Sequence, residues 1–290
     1  MGMTKQTVRD FFKQFPDDDA CLKHLFDVRY GHIHTCSKCG TESKWHRLKN
    51  RKVFSCQNCG HHIYPMAGTI YEGSTTPLQL WFYAMFLFTK SRNGVSGKEL
   101  QRQLGVTYKT AWRMGHKIRE HMARVDGDEP LGGYGKVVEV DETYIGGKTT
   151  QNKAFKNKAV VLGMLEKGGD VMTKVVPNRH STTLVKEVRE NVIKGSEVHT
   201  DEARQNDYLQ GHYEHKRVNH SAKQYVGKDG QTTNSVEGFF FHLKRTIKGT
   251  HIWVSRKHLH SYTGEAEFIY NRRNEPHRIL TDLLYGYPKA

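Results

Sequence analysis

Three acidic residues stand in stretches whose apolar patterning would not tolerate an unpaired charge. In "KVVEVDETYIGG" (136–147), Val137, Val138 and Val140 predict a buried strand with Asp141 at its end. "SEVHTDEA" repeats the arrangement, with Asp201 ending a short strand. In "TTNSVEGFFFHLKRTIKG" (232–249), Val236, Phe239, Phe240, Leu243 and Ile247 make the buried stripe of a helix. Glu237, Phe241, Lys244 and Lys248 line up beside that stripe. A buried unpaired carboxylate costs several kcal/mol, so it needs a cation, a hydrogen-bond network or a metal. Two aspartates and a glutamate brought together make an oxygen cage for Mg²⁺ or Mn²⁺. Two such ions about 3.5–4 Å apart activate a water or a 3′-hydroxyl and stabilise the leaving oxygen of a phosphodiester. Lys244, about 10 Å along the helix from Glu237 at roughly 1.5 Å per residue, suits a phosphate contact. Each acid also has a local reading: Asp141 as a turn former beside Glu142, Asp201 as a helix cap, Glu237 in a capping box with Asn234.

A second set of ligand-type residues is softer. "CSKCG" (36–40) and "CQNCG" (56–60) place Cys36, Cys39, Cys56 and Cys59 in two knuckles. Two residues between cysteines let both thiolates reach one tetrahedral ion, and the glycine after each pair eases the turn. The intervening residues suffice for a small hairpin carrying Trp45 and Phe54. The pattern predicts a structural Zn²⁺ in a closed, non-catalytic site, in a reducing compartment.

These groups need elements to position them. Helical patterning over 4–30 breaks at Pro16. After the cysteine module, Thr76 and Pro77 predict the cap and first position of an apolar helix. "SGKELQRQLGVTYKTAWRMGHKIRE" (96–120) reads as a helix-turn-helix. Ser96 and Glu99 make a capping box, Leu100 and Leu104 an apolar face, Gly105 the turn, and Thr107 the second cap. Ala111, Met114 and Ile118 face inward; Tyr108, Lys109, Trp112, Arg113 and Lys117 face outward, suited to phosphates and base edges. "VDGDEPLGGYG" (125–135) reads as a linker. Strands follow at 136–145, 158–165 and 171–176, then a helix at 181–193, strands at 196–201 and near 215–219, and helices at about 234–248 and 256–272. The expected fold class is α/β with a mixed sheet. The expected organisation is an N-terminal helical segment (1–30), a zinc ribbon (31–65), a helix-turn-helix region (76–124), a catalytic domain (136–275) and a C-terminal tail (276–290).

Lys and Arg number 45 against 30 Asp and Glu in 290 residues, a formal charge of +15. That balance favours a polyanionic partner, and with the modules above it points to double-stranded DNA. The longest apolar run, Leu78 to Phe88, falls short of the ~20 residues that span a bilayer, so no membrane association is expected. With no secretory signal read at the N-terminus, the expected location is the cytoplasm, at the nucleoid when DNA-bound.

"VVEVDETYIGGK", "HTDEA", "TNSVEGFFFHLKR" and "HIWVSRKHLHSYTGEAEFIYNRRN" together resemble insertion-sequence transposases of the zinc-ribbon, ISXO-two-like group, with a ribonuclease-H-like DDE domain. The resemblance runs from about 15 to 275. It implies Asp141, Asp201 and Glu237 as the metal-binding acids, with Asn234 as an alternative third residue and Lys244 as the basic residue that follows. It also implies 3′-end cleavage at the element's inverted repeats and strand transfer into target DNA, by a homodimer or higher oligomer. The alternative is a catalytically silent, host-captured DNA-binding regulator on the same scaffold.

Overall fold

The computed structural model describes residues 7–31, 34–146, 158–201, 209, 211–218 and 231–288. The parts of the motifs at 147–148 and 202–203, the first six residues and the last two lie outside them. The chain forms two units, Met1–His121 with Glu275–Ala290, and Met122–Asn274.

In the first unit, α1 (Val8–Gln14) and α2 (Asp18–Tyr30) flank Pro16. The cysteine module is built of β1 (His34–Thr35) with β2 (Glu42–Ser43), and of an antiparallel sheet of β3 (Trp45–Leu48), β4 (Val53–Cys56) and β5 (His62–Ile63). Trp45 and Phe54 sit on the hairpin strands, as expected. α3 (Leu78–Lys90) buries Trp81, Phe82, Met85, Phe86 and Phe88. Its cap departs from the expectation: Pro77 holds the cap position with no side-chain bond, and Thr76 does not cap. Asp18 of α2 does the work instead, its Oδ1 accepting from Gln79 N at 2.9 Å. α4 (Gly97–Leu104) and α5 (Tyr108–Asp126) follow, with Gly105 in the left-handed region between them at φ 65°.

In the second unit, β6 (Leu131–Gly132) replaces part of the expected linker. β7 (Val137–Gly146), β8 (Lys158–Glu166) and β9 (Val171–Val176) form an antiparallel meander. α6 (Ser181–Asn191) stops two residues before the expected end, because Val192 and Ile193 leave it as β10 to pair with β6. β11 (Glu197–Asp201) and β12 (Glu214–Val218) then run parallel to β7, giving the order β12-β11-β7-β8-β9. α7 (Asn234–Thr246) continues into a π-turn, Ile247–His251; a short 3₁₀ turn, Arg256–His258, leads into α8 (Leu259–Asn271). Alternation along the strands sends Val138, Val140, Leu162 and Met164 to one face, where Leu184 and Val188 of α6 close the core. Val161, Leu165 and Val171 face the other way, under Val236, Phe239, Phe240 and Leu243 of α7 and Leu259 of α8. This meander with two added parallel strands, helices on both faces, is the ribonuclease-H-like fold.

α8 also closes the outer edge of the sheet. Asn271 accepts from Val171 N at 2.8 Å and donates to Val171 O at 3.0 Å, while Glu267 accepts from Thr173 N. Arg273 donates to Gly169 O at 2.8 Å in the β8–β9 turn. "YNRRN" is thus a docking sequence that satisfies an exposed strand edge. Residues 276–290 include a helix, α9 (Arg278–Tyr285), that returns to the first unit. There Leu283 O and Leu284 O face His121 Nε2 at 2.8 Å and His24 Nε2 at 3.2 Å.

Candidate functional site

Asp141 is not at a strand end. β7 continues to Gly146, and Asp141 pairs across to Gly163 in the middle of the ladder. Asp201 is the last residue of β11, as expected. β11 and β7 are parallel neighbours with Glu197 beside Val137 and His199 beside Glu139. That pairing ends at His199 and Glu139; two residues further along, Asp201 and Asp141 keep to the sheet face that carries α7 by strand alternation. Glu237 lies in the first turn of α7, exposed, its Oε1 accepting from Thr233 Oγ1 at 2.7 Å. Burial, together with the charges of Glu142, Asp201 and Glu237, pushes the Asp141 carboxyl up to about 7; the Glu142 amide, donating at 2.8 Å, opposes the rise. The three acids therefore share one electrostatic neighbourhood. Among the described residues, only the four cysteine thiols bring three or more ligand atoms within 4.8 Å of one another. An all-carboxylate donor set with excess negative charge suits a hard divalent cation.

Two residues unnoticed in the sequence hold this arrangement. Glu139, fully buried, reaches from β7 to the start of α7: Oε2 accepts from Ser235 N at 2.8 Å and Val236 N at 3.1 Å, and Oε1 from Ser235 Oγ at 3.1 Å. It is the acid that caps the helix. Asn234 is not: it is the first helical residue, exposed, and no side chain at the cap position bonds the helix. The Asn234–Glu237 capping box is thereby corrected. His199, buried beside Glu139, accepts from Thr232 N at Nδ1 (3.2 Å), and its Nε2 meets Glu197 Oε1 at 2.5 Å. Each aspartate thus has, two residues earlier on its strand, a side chain that grips the segment leading to Glu237. Gly163 lets the helix come close, since a Cβ there would stand 2.6 Å from Phe240 and 2.9 Å from Val236. The visible signal was E-x-D and H-x-D, polar residues at inward positions of otherwise apolar strands.

The thiol cluster has a different character. Cys36 Sγ lies 3.7 Å from Cys59 Sγ and Cys39 Sγ 4.0 Å from Cys56 Sγ. Four sulfurs about 2.3 Å from one tetrahedral ion stand at such separations, so the cluster fits Zn²⁺. Gly40 and Gly60 turn the knuckles at φ 67° and 70°. The Ser43 hydroxyl, 3.2 Å from Cys56 Sγ, helps hold that thiol down at about 6, toward the ligating thiolate.

Comparison with known proteins matches residues 130–271 to the ISXO2-like transposase domain and residues 16–62 to the transposase zinc-ribbon domain. An uncharacterized transposase-like protein of Haemophilus influenzae is 33% identical over 119 residues, 40% of this chain and 94% of that protein. The chain belongs to the ISXO2-like transposase family. An uncharacterized protein in transposable element ISH50 of Halobacterium salinarum is 26% identical over 137 residues, 46% of this chain. That match spans 44% of the halobacterial protein's own length.

In this transposase-family chain the helix pair α4–α5 is close to its expected form. Ser96 Oγ accepts from Glu99 N at 3.1 Å, while the Glu99 carboxylate turns forward to Gln103 and Arg102. Thr107 Oγ1 caps α5 through Thr110 N at 3.3 Å. Ala111, Met114 and Ile118 are fully buried. Tyr108, Lys109, Trp112 and Arg113 are exposed, the Trp112 ring lying 4.0 Å from that of His116 and tilted 50° to it. Lys117 is a correction: it is half-buried and donates to Ile70 O at 3.2 Å, because the helix turns that position back toward the 66–74 segment. Lys244 and Lys248 are exposed, though the π-turn begins at Ile247 and takes Lys248 out of the helical line through Glu237. No helix among the described residues is long and apolar enough to cross a membrane.

Proposed function

We propose that the chain is an insertion-sequence transposase that binds the inverted-repeat ends of its element as duplex DNA, cleaves their 3′ ends and joins them to target DNA. The reading is supported by the parallel pairing of β7 and β11 up to Glu139 and His199, two residues short of Asp141 and Asp201, and by the place of Glu237 in the first turn of the helix that Glu139 seats. Asp141, Asp201 and Glu237 would hold Mg²⁺ or Mn²⁺, which when bound supplies Lewis-acid activation of the attacking oxygen and stabilisation of the departing one. The chain's own part is to bring that negative donor set to a phosphodiester. Lys244 and Lys248 contact phosphates beside the scissile one, and Tyr108, Lys109, Trp112 and Arg113 meet phosphates and base edges of the repeat. In the first step water breaks the phosphodiester and leaves a 3′-hydroxyl on the element. In the second that hydroxyl attacks a target phosphate and expels the target's 3′-oxygen. The zinc ribbon (31–65) and helix-turn-helix region (76–124) dock the ends, the 136–275 domain does the chemistry, and a homodimer or higher oligomer holds two ends together.

The test is cleavage and joining of duplexes carrying the element's ends. Glu237→Gln, Asp141→Asn and Asp201→Asn should each abolish both steps while binding the ends as the wild type does. Asn234→Ala should retain substantial activity, since its side chain neither caps α7 nor carries charge. If Glu237→Gln cleaves well and folded Asn234→Ala does not, the third ligand is the asparagine. Wild-type protein that binds the ends and never cleaves them would leave the silent regulator standing.

A further inference from the structure

The chain leaves α7 through the π-turn and reverses at Ile252, with φ 65° and ψ −52°. Trp253 N donates to His251 O at 2.6 Å, which closes a γ-turn of the rare positive-φ kind. Ile252 is the sole non-glycine residue with positive φ among the described residues, and a β-branched side chain there is an outlier. Such strain persists only where the surroundings over-determine it. Here His251 packs edge-on to Tyr262 with ring centroids 4.7 Å apart, and Val254 is buried, so both feet of the turn are anchored. What the turn presents is apolar and uncovered: Ile252 is 84% and Trp253 62% exposed. From Lys244 to His258 the chain carries five Lys and Arg and no acid. An exposed aliphatic–indole pair inside uninterrupted positive charge matches a partner offering both phosphates and aromatic faces.

We infer that Ile252 and Trp253 form a wedge for a DNA base step. The Trp253 indole stacks on an unstacked base, Ile252 props the step open, and Lys248 and Lys257 hold the flanking phosphates. The inference rests on the reading that this chain acts on duplex DNA. The helical path from Glu237 to His251, where the turn begins, is at most about 21 Å at roughly 1.5 Å per residue, or about six base-pair steps at ~3.4 Å. The wedge therefore acts near the cleaved phosphate. The opened step belongs either to the element's end or to the target.

The experiment uses the full chain in Ca²⁺ buffer with two duplexes of equal length, one carrying the element's terminal sequence and one unrelated. 2-Aminopurine is placed at successive positions of each, and fluorescence reports unstacking. Wild-type protein should raise fluorescence at one step, and the duplex on which it does so identifies the source. Trp253→Ala should abolish the rise and weaken binding about tenfold without changing the salt slope, while Trp253→Phe keeps the rise. A mismatch at the same step should tighten binding by wild type and not by Trp253→Ala. Ile252→Gly, which relieves the positive φ, should lower the rise without lowering the melting temperature. The inference is overturned by no rise on either duplex, by an undiminished rise in Trp253→Ala, or by Trp253→Ala dissociating a DNA-free oligomer. A rise without cleavage in Mg²⁺ would leave the wedge and remove the proposed reaction; cleavage without a rise would do the reverse.

Discussion

Asp141 sits on the central strand of the sheet with its carboxyl raised to about 7 by burial and by three acidic neighbours. Like charges gathered in a partly buried site destabilise the fold unless a cation joins them. Mg²⁺ or Mn²⁺ should therefore raise the melting temperature of the wild type at pH 8, and by much less in Asp141→Asn, as differential scanning fluorimetry would reveal. An equal rise in both proteins would place the ion elsewhere. Gly163, opposite Asp141, makes a second test. Gly163→Ala puts a methyl 2.6 Å from the Phe240 ring, and overpacking of this kind costs about 1–3 kcal/mol. It should lower stability in a denaturant melt and weaken metal binding together, because α7 must retreat from β8.

The elements are joined by side chains acting on backbone ends. Glu139 and His199 fasten residues 232–236 to β7 and β11. Glu139→Ala should speed amide exchange at Ser235 and Val236 and raise the Mg²⁺ concentration needed for binding, whereas Glu139→Gln, which keeps an acceptor, should recover most of the protection. Unchanged exchange in a folded Glu139→Ala would mean that packing alone seats the helix. At the opposite edge, burial pushes the Glu267 carboxyl up to about 8 despite its bond from Thr173 N. Its folded pKa is above its unfolded value, so the native state holds the extra proton between about 4.5 and 8. Stability from this group is present at low pH and declines as pH rises through that window. Glu267→Gln should flatten that part of the pH–stability curve; a parallel curve would show that Glu267 ionises normally.

For the molecule as a whole, the two units should answer separately to metals. Metal-binding free energy in a small thiolate module is folding free energy. The purified protein should carry one zinc per chain by elemental analysis, and Cys56→Ser should lose it along with specific end binding. The Mg²⁺-dependent stabilisation of residues 122–274 should remain. Zinc retained in Cys56→Ser, or loss of both metal responses at once, would contradict this division.

Much of this was legible in the residues because it depends on near neighbours. Paired cysteines followed by glycine dictate a thiolate knuckle; alternation dictates β7 to β9; a 3.6-residue stripe dictates the buried side of α7. Helix ends were legible only in part. Thr76 and Asn234 have the local chemistry of caps, yet α3 is capped by Asp18 and α7 by Glu139, acids from other elements. A helix N-terminus needs an acceptor, and nothing in that need specifies one nearby in the chain. The same holds for Gly163, Lys117 and α9, whose roles are pairings between residues remote in sequence. Asp141 stands out in the sequence as an acid in an apolar strand. That Asp201 ends the strand next to it follows from the parallel pairing of β11 with β7, a long-range pairing that side-chain period alone leaves open.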